Sequence, residues 1–499
     1  TRLCLGFGAG CTLAALGTLL SSTPVASAAA SYALAREFAE RTIWQDPPWR
    51  WTCWGLASSV ALTLSLGLVG LWLERPRRKA ATQSLVPETG GNRAQRVAEI
   101  GRRVTRSLTG SETSVVRAFE EIMRGALEMG ASDIHISPTP EVLRVTYRVL
   151  GAVYQAAALE PRWAQPFATR IKVLSGLETH VRRRPQDGRL SMQIDGISVE
   201  ARVSSLPTEV GERLVLRIVR GSRAVPELAS LGLSEPTRLG LVEILARPQG
   251  VLFVTGPVGS GKTTTLYSAL KHVVDTRGKL TSVVTLEDPI ELELPFATQT
   301  QMHARSGRDF ANTLRSVLRQ DPNVLMIGEI RDRESAEIAT QAGLTGHLLL
   351  TTLHADGAAG PFSRLIEMGV EPFLIASATS GSLSQRLVRT LCSVCARSEA
   401  VDSHTRDRFA ALGVTLPDGD YHVPVGCEAC GGDGFAGRAP VTELLSMNEE
   451  VRQTVIERRP TAEILAAAKR SGLVPLLSDG LERALAGQIS LAEVLRVTG

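Results

Sequence analysis

Lys262 follows a glycine-rich turn, and three side chains able to manage phosphate chemistry come after it: Glu287, Glu329 and His354. The turn, GPVGSGKTT at 256–264, has the phosphate-loop spacing G-x-x-x-x-G-K-[ST]. Its glycines let successive backbone N–H groups converge on an anion. The helix expected to start near Lys262 adds its positive dipole end to the same place. Gly256, Pro257, Val258, Gly259, Ser260, Gly261, Lys262, Thr263 and Thr264 are therefore the candidate nucleotide-binding residues, with ATP as the ligand. Lys262 would reach the β- and γ-phosphates, and the Thr263 hydroxyl would take one position around Mg2+.

Phosphoryl transfer to water also needs an oriented water and positive charge at the transferred group. The run TLEDPIE at 285–291 ends an apolar stretch, and Glu287 at its tip is the candidate for polarising the water. The run VLMIGE at 324–329 ends a second. Gly328 stands where many phosphate-loop enzymes carry aspartate, which leaves Glu329 to serve the Mg2+ shell through water. The run 348–354 ends a third and sets His354 to read the γ-phosphate, with a packed core histidine as the plainer alternative. His347, in the same segment, is open to either reading. Arginines crowd the region before the loop: Arg144, Arg148, Arg182, Arg183, Arg184, Arg189, Arg202, Arg213 and Arg217. Most are expected to be solvated strand charges, with two or three serving a nucleotide.

Cys392, Cys395, Cys427 and Cys430 form two C-x-x-C pairs with 31 residues between them. Paired knuckles of this kind set four thiolates tetrahedrally around Zn2+. The gap exceeds that of the commonest zinc ribbons, so an inserted small subdomain is expected. Gly431, Gly432, Gly434 and Gly437 suit its turns. Disulfides are disfavoured in a reducing compartment, and a redox pair would not need the second knuckle.

These residues need a scaffold. Apolar runs at 251–254, 283–286, 324–327 and 348–352 alternate with helical segments. That is the pattern of a parallel α/β sheet covered on both faces, with ligands at the C-terminal ends of its strands. Ahead of it, a helical segment at 114–129 and strand-like runs at 134–136, 143–149, 190–194, 199–203 and 214–219 describe a small α+β domain. The expected organisation is membrane segments at 1–80, a linker at 81–113 with a short helix near 92–108, the small domain at 114–230, the ATPase domain at 231–385, a zinc-binding subdomain at 386–440 and a helical C-terminal domain at 441–499.

Residues 3–20 and 55–73 are uncharged apolar runs, each about long enough to span the ~30 Å core of a bilayer. Arg75, Arg77, Arg78 and Lys79 follow the second, and the positive-inside tendency places what comes after in the cytoplasm. Ala26-Ser27-Ala28 has the form of a signal-peptidase site, so the first run is either a cleaved signal or one arm of a hairpin. Net charge is only +4 and aromatic content 4%, with no basic tract, so no nucleic-acid partner is expected.

Together these blocks resemble the secretion ATPase superfamily, in particular the assembly ATPases of type II secretion and type IV pili. The resemblance runs from about residue 131 to 499. The run 256–264 is similar to the family's Walker A, TLEDPIE to its Asp box, LMIGEIRD at 325–332 to its atypical Walker B, and GHLLLTTLH at 346–354 to its His box. ASDIHI at 131–136 and RPQDGR at 184–189 are similar to the N-terminal half of its motor. The cysteine block, with GFAGR at 434–438 and ELL at 443–445, fits the assembly branch.

The resemblance implies a RecA-like P-loop ATPase domain preceded by a small α+β, PAS-like domain, with a tetracysteine zinc insertion and a helical C-terminus, here behind N-terminal transmembrane segments. It implies a homo-hexameric ring at the bacterial inner membrane, motor domains in the cytoplasm, acting under a platform protein to extrude pilin-like subunits. Glu287 would be the catalytic glutamate, Glu329 the Walker B acid, and Arg189 and Arg202 charge donors from the small domain. Two departures stand out. Residues 148–151 read RVLG where the family usually has Arg-Val-Asp-Gly, and two apolar runs replace the usual N-terminal docking domain, so direct anchoring becomes the simpler idea. The alternative is a membrane-tethered ATP-binding structural or regulatory subunit with weak hydrolysis.

Overall fold

The computed structural model describes residues 93–109, 114–219, 224–302 and 310–498. The apolar runs 3–20 and 55–73 lie outside these residues. Among the described residues no helix is long and apolar enough to cross a membrane.

The first part alternates apolar and polar residues, and it folds accordingly. Helices α1 (Arg93–Ser107), α2 (Ser114–Glu128) and α3 (Ala164–Leu174) pack against strands β1 (Asp133–Pro138), β2 (Leu143–Val149), β3 (Ala152–Leu159), β4 (Gln186–Ile194), β5 (Ile197–Thr208) and β6 (Gly211–Val219). The strands form one antiparallel sheet in the order β3-β2-β1-β6-β5-β4. In β2 the alternation buries Leu143, Val145, Tyr147 and Val149 on one face and leaves Arg144 exposed on the other. The buried face meets Phe119 and Ile122 of α2 and Phe167 and Ile171 of α3. On the polar face the pairing register aligns Arg148, Asp133, Arg217, Arg202 and Arg189 in a row across five strands. Asp133 breaks the run of like charge and takes Arg217 Nε at 2.9 Å.

Helix α1, expected within the linker, belongs to this domain's core through Val97, Ile100 and Val104. It lies against the edge strand β3. A Cβ on Gly101 would stand 2.4 Å from the Ala156 carbonyl, so only glycine permits that approach.

The second part is a seven-stranded sheet. Its strands are β7 (Gly250–Thr255), β8 (Val283–Glu287), β9 (Thr298–Gln301), β10 (Val324–Ile327), β11 (Leu348–Leu353), β12 (Thr379–Leu391) and β15 (Phe435–Ser446). Their order is β15-β12-β7-β11-β10-β8-β9, parallel except for β15. β7, β8, β10 and β11 are buried at every residue, because helices cover both faces. Those helices include α4 (Glu235–Ala246), α5 (Lys262–Arg277), α6 (Phe310–Leu318) and α7 (Arg333–Leu344). β12 and β15 run across the expected domain limits at 385/386 and 440/441. They carry a small insertion made of β13 (Arg397–Glu399), α10 (Ser403–Ala411) and β14 (Tyr421–Val423), with α8 (Gly360–Glu367) and α9 (Pro372–Ala378) preceding β12. After β15 come α11 (Glu449–Ile456), α12 (Thr461–Arg470), α13 (Leu476–Leu485) and α14 (Leu491–Thr498).

Candidate functional site

The pairing register lines up the strand ends. Thr255 of β7 lies opposite Leu353 of β11 and Ser384 of β12, and Ile327 of β10 opposite Thr351 and Leu286. The phosphate loop, Glu287, Glu329 and His354 therefore emerge at one edge, the C-terminal edge of the parallel strands. His347 precedes β11 at the opposite end, where its Nδ1 lies 3.2 Å from the Ala342 carbonyl, so it takes no part in this edge.

The loop from Gly256 to Gly261 leads straight into α5, whose first residue is Lys262. Gly256 has φ +136°, and a Cβ there would press on the Gln385 carbonyl at 2.4 Å. Pro257, Val258 and Gly259 are exposed at the tip, Ser260 is buried beneath it, and Thr263 and Thr264 lie in the first turn of the helix. Lys262 Nζ donates to the Gly256 and Pro257 carbonyls at 2.8 and 3.1 Å, folded back over its own loop. Burial lowers the Lys262 pKa, and the nearby Glu329 carboxylate opposes that shift.

Glu329 faces the loop side, accepting Arg331 Nε at 2.9 Å and lying 3.0 Å from His354 Nε2. A Cβ at Gly328 would sit 3.3 Å from the Leu286 carbonyl and 3.5 Å from Glu287 Cα. The space beside Gly328 is thus tight against the backbone of β8, and the acid of this strand end is Glu329, one residue later. Glu287, the last residue of β8, is only 2% exposed and accepts hydrogen bonds from Thr285, Tyr267 and Gln299. Arg202 and Arg189 reach from the small domain to the segment just beyond it: Arg202 to Glu291 and the Ile290 carbonyl, Arg189 to Gln301.

Several residues at this edge escaped the sequence reading. Gln385 donates to the Ser260 carbonyl and accepts from Thr265. Arg386 beside it would contact a Cβ on Gly256 at 3.2 Å and reaches towards Asp356. Both lie in TSGSLSQRLVRTL, a stretch whose serines and threonines hide a strand. Tyr267 and Gln299 lack any motif. Their only signal is position: one turn into the phosphate-loop helix, and on a polar strand next to β8.

The four cysteines converge as their spacing implied. Their sulfurs all lie within 4.8 Å of one another. Cys392–Cys427 is 3.9 Å, Cys395–Cys430 3.8 Å and Cys427–Cys430 3.8 Å. A tetrahedral ion with bonds of ~2.3 Å to sulfur places the sulfurs about 3.8 Å apart, so the set fits one metal. Burial alone would raise the Cys430 thiol, but N–H donors from Cys427 and Gly434 outweigh it and bring it down to about 6. Arg93, at the start of α1, pairs with Asp433 and donates its N–H to the Gly431 carbonyl, while Tyr154 Oη donates to Asp433 at 3.2 Å. The knuckle thus holds the small domain as well as its own loops.

The sequence-family model for Type II/IV secretion system protein matches residues 109–496. The chain belongs to this family of secretion ATPases. Type II secretion system protein E of Pectobacterium carotovorum subsp. carotovorum is 41% identical over 387 residues, 78% of this chain and 76% of that protein. The type IV pilus assembly ATPase PilB of Thermus thermophilus is 40% identical over 387 residues, 78% of this chain and 43% of that protein. Among solved structures, the ATPase DotB of Legionella pneumophila superposes with a TM-score of 0.55 at 22% identity, covering 75% of this chain and 94% of that one. At that identity the likeness shows the fold.

Proposed function

We propose that this chain is an ATP-hydrolysing motor that powers assembly of pilin-like subunits in a type II secretion or type IV pilus machine. The observation that carries the reading is the meeting of the phosphate loop, Glu287 and Glu329 at one edge of a parallel sheet, in a chain with an inserted tetracysteine cluster. ATP would lie on the loop, with Mg2+ held near Thr263 and Glu329. Glu287 would polarise the attacking water, and His354 would read the γ-phosphate. The cysteine cluster would hold Zn2+. The working form would be a homo-hexamer at the bacterial inner membrane beneath a platform protein, anchored by the apolar runs 3–20 and 55–73. Arg189 and Arg202 would supply positive charge at a nucleotide when released from Gln301, Ile290 and Glu291, which they hold in this structure. The proposed division follows the sequence reading (membrane segments 1–80, linker 81–113, small domain 114–230, ATPase domain 231–385, zinc subdomain 386–440, helical C-terminus 441–499), with α1 joined to the small domain and β12 and β15 to the ATPase sheet.

ATP turnover by the purified protein tests the reading. Lys262→Ala should lose binding and hydrolysis. Glu287→Gln should keep binding and lose hydrolysis, by ~100-fold or more for a missing general base. Hydrolysis by Glu287→Gln at the parental rate would refute the assignment. Alkaline extraction tests the anchor: a full-length chain released from membranes by carbonate would not be membrane-spanning. The second reading, a tethered subunit with weak hydrolysis, draws on the burial of Glu287 and predicts ATP binding with negligible turnover.

A further inference from the structure

Glu287 is fixed from three sides; one of its donors, Tyr267, is itself held by a group that the small domain grips, and another, Gln299, lies on the same strand as Gln301, which the small domain also grips. Its Oε1 accepts Thr285 Oγ1 at 2.6 Å and Gln299 Nε2 at 3.0 Å, and its Oε2 accepts the Tyr267 hydroxyl. An ionised carboxylate offers about four acceptor positions, so these donors leave about one for a water. Burial, reinforced by Glu287 itself, raises the Tyr267 pKa, which keeps that hydroxyl a donor.

Neither Tyr267 nor Gln299 is set by its own backbone alone. Tyr267 Oη also accepts the Glu291 N–H at 3.3 Å. The Glu291 carboxylate takes Arg202 Nη1 at 2.9 Å, and the preceding carbonyl, that of Ile290, takes Arg202 Nη2 at 2.8 Å. Gln299 accepts the Leu294 N–H at 2.6 Å and donates to the Leu292 carbonyl at 3.0 Å. Two residues along β9, on the same face of the strand, Gln301 takes Arg189 Nη2 at 3.2 Å and the Ile290 N–H at 3.4 Å. Arg189 and Arg202 are direct cross-strand partners on β4 and β5, so one rigid sheet carries both.

We propose that Tyr267 and Gln299 are positioning residues for Glu287, and that the Arg189–Arg202 pair sets them by gripping the segment 290–301. The seating of the small domain then decides how the glutamate is aimed at water. A shift of that domain would drag Ile290 and Glu291 and change the Tyr267 contact, without any change in the phosphate loop. The proposal rests on the reading of Glu287 as the water-polarising group.

The test is a double-mutant cycle on the full-length protein, with ATP turnover followed against pH. Tyr267→Phe removes one donor and keeps the ring. It should lower kcat roughly tenfold, less than loss of the base itself, and leave KM for ATP unchanged. The acid limb of kcat should move to higher pH, because a carboxylate that loses a donor is easier to protonate. Gln299→Met should act in the same direction. Glu291→Ala, which removes a group that Arg202 grips, should lower kcat by a smaller factor. If the grip acts through Tyr267, the factor lost on Tyr267→Phe should at least halve in the Glu291→Ala background. Identical factors in both backgrounds, or unchanged kcat and pH profiles in both Tyr267→Phe and Gln299→Met, would overturn the proposal and leave the motor reading standing. A parental protein with no turnover would remove both.

Discussion

Gln385 Nε2 donates to the Ser260 carbonyl at 2.7 Å while its Oε1 accepts the Thr265 hydroxyl at 2.9 Å. One side chain of β12 therefore clasps the phosphate loop and the helix that leaves it. Gln385 is 1% exposed, so the clasp operates out of water. Gln385→Leu would leave a buried carbonyl and hydroxyl unpaired, a cost of about 1–3 kcal/mol for each. We expect ATP to bind roughly tenfold more weakly, a loss equivalent to about 1.4 kcal/mol. Titration with a fluorescent nucleotide reads this, and unaltered affinity would show that the loop keeps its shape without the clasp.

The cysteine cluster makes a compositional and a mechanical prediction. Elemental analysis should find about one zinc per chain, from the four-thiolate rule. A Cys392→Ser, Cys395→Ser double variant should release it. Because Arg93 is tied to Gly431 and Asp433, hydrogen exchange should then accelerate both at 427–434 and in the first turn of α1. Nucleotide binding should persist, since Lys262 and Gln385 are untouched. Wild-type protein that is folded and zinc-free would contradict the assignment.

Glu493 predicts a pH dependence of stability. It is 2% exposed on α14 and accepts the Arg389 N–H at 2.8 Å, Arg389 Nη2 at 2.7 Å and Arg496 Nη2 at 2.7 Å. Burial alone would raise its pKa, but the hydrogen bonds from Arg496 and Arg389 prevail and lower it. A carboxyl depressed in the folded state contributes stability above its unfolded pKa and loses it as pH falls through the folded value. Glu493→Gln should cost about 1–2 kcal/mol near neutral pH, the scale of lost charge-assisted hydrogen bonds to arginines that are partly open to solvent. Melting curves should show the difference from the parent shrinking below pH ~4.5, the ordinary glutamate range. A constant difference down to acid pH would contradict this origin.

The hairpin between β2 and β3 turns through Leu150 and Gly151 at φ +49° and +88°. The hairpin between β4 and β5 uses Asp195 and Gly196 at φ +50° and +80°. Asp-Gly and Asn-Gly suit such a turn, whereas a left-handed leucine costs about 1–2 kcal/mol. Leu150 recovers part of that by packing on the domain core. Leu150→Asn should therefore stabilise the protein by about 0.5–1 kcal/mol, seen as a higher denaturant midpoint at constant slope. A lower midpoint would mean that the packing outweighs the turn.

Much of the molecule was legible because its signals are local. The phosphate-loop motif is nine contiguous residues that leave an apolar strand and enter a helix, and its glycines supply the turns it needs. The runs 251–254, 283–286, 324–327 and 348–352 became β7, β8, β10 and β11, as short apolar segments with β-branched residues, alternating with helices, do in a doubly covered sheet. The cysteine pairs announced a four-sulfur cluster through spacing alone. Helix α1 was legible as a helix, but its place in the small domain's core was not, since that depends on Gly101 meeting Ala156 of β3.

Tertiary structure decided the rest. β3, AVYQAAAL, is rich in a helix-forming residue and becomes a strand because β2 supplies its partner. β9, TQTQ, and β12, with its serines and threonines, have no apolar period. They are strands because β8 and β7 offer open backbone to pair with. The polar contacts around the loop and Glu287 follow from that pairing. Gln385 meets Ser260 across 125 residues of chain, Tyr267 meets Glu287 across 20, and Arg202 meets Glu291 across 89. A hydrogen bond depends on where two groups end up in space, and sequence carries no periodic signature of a partner that far along the chain.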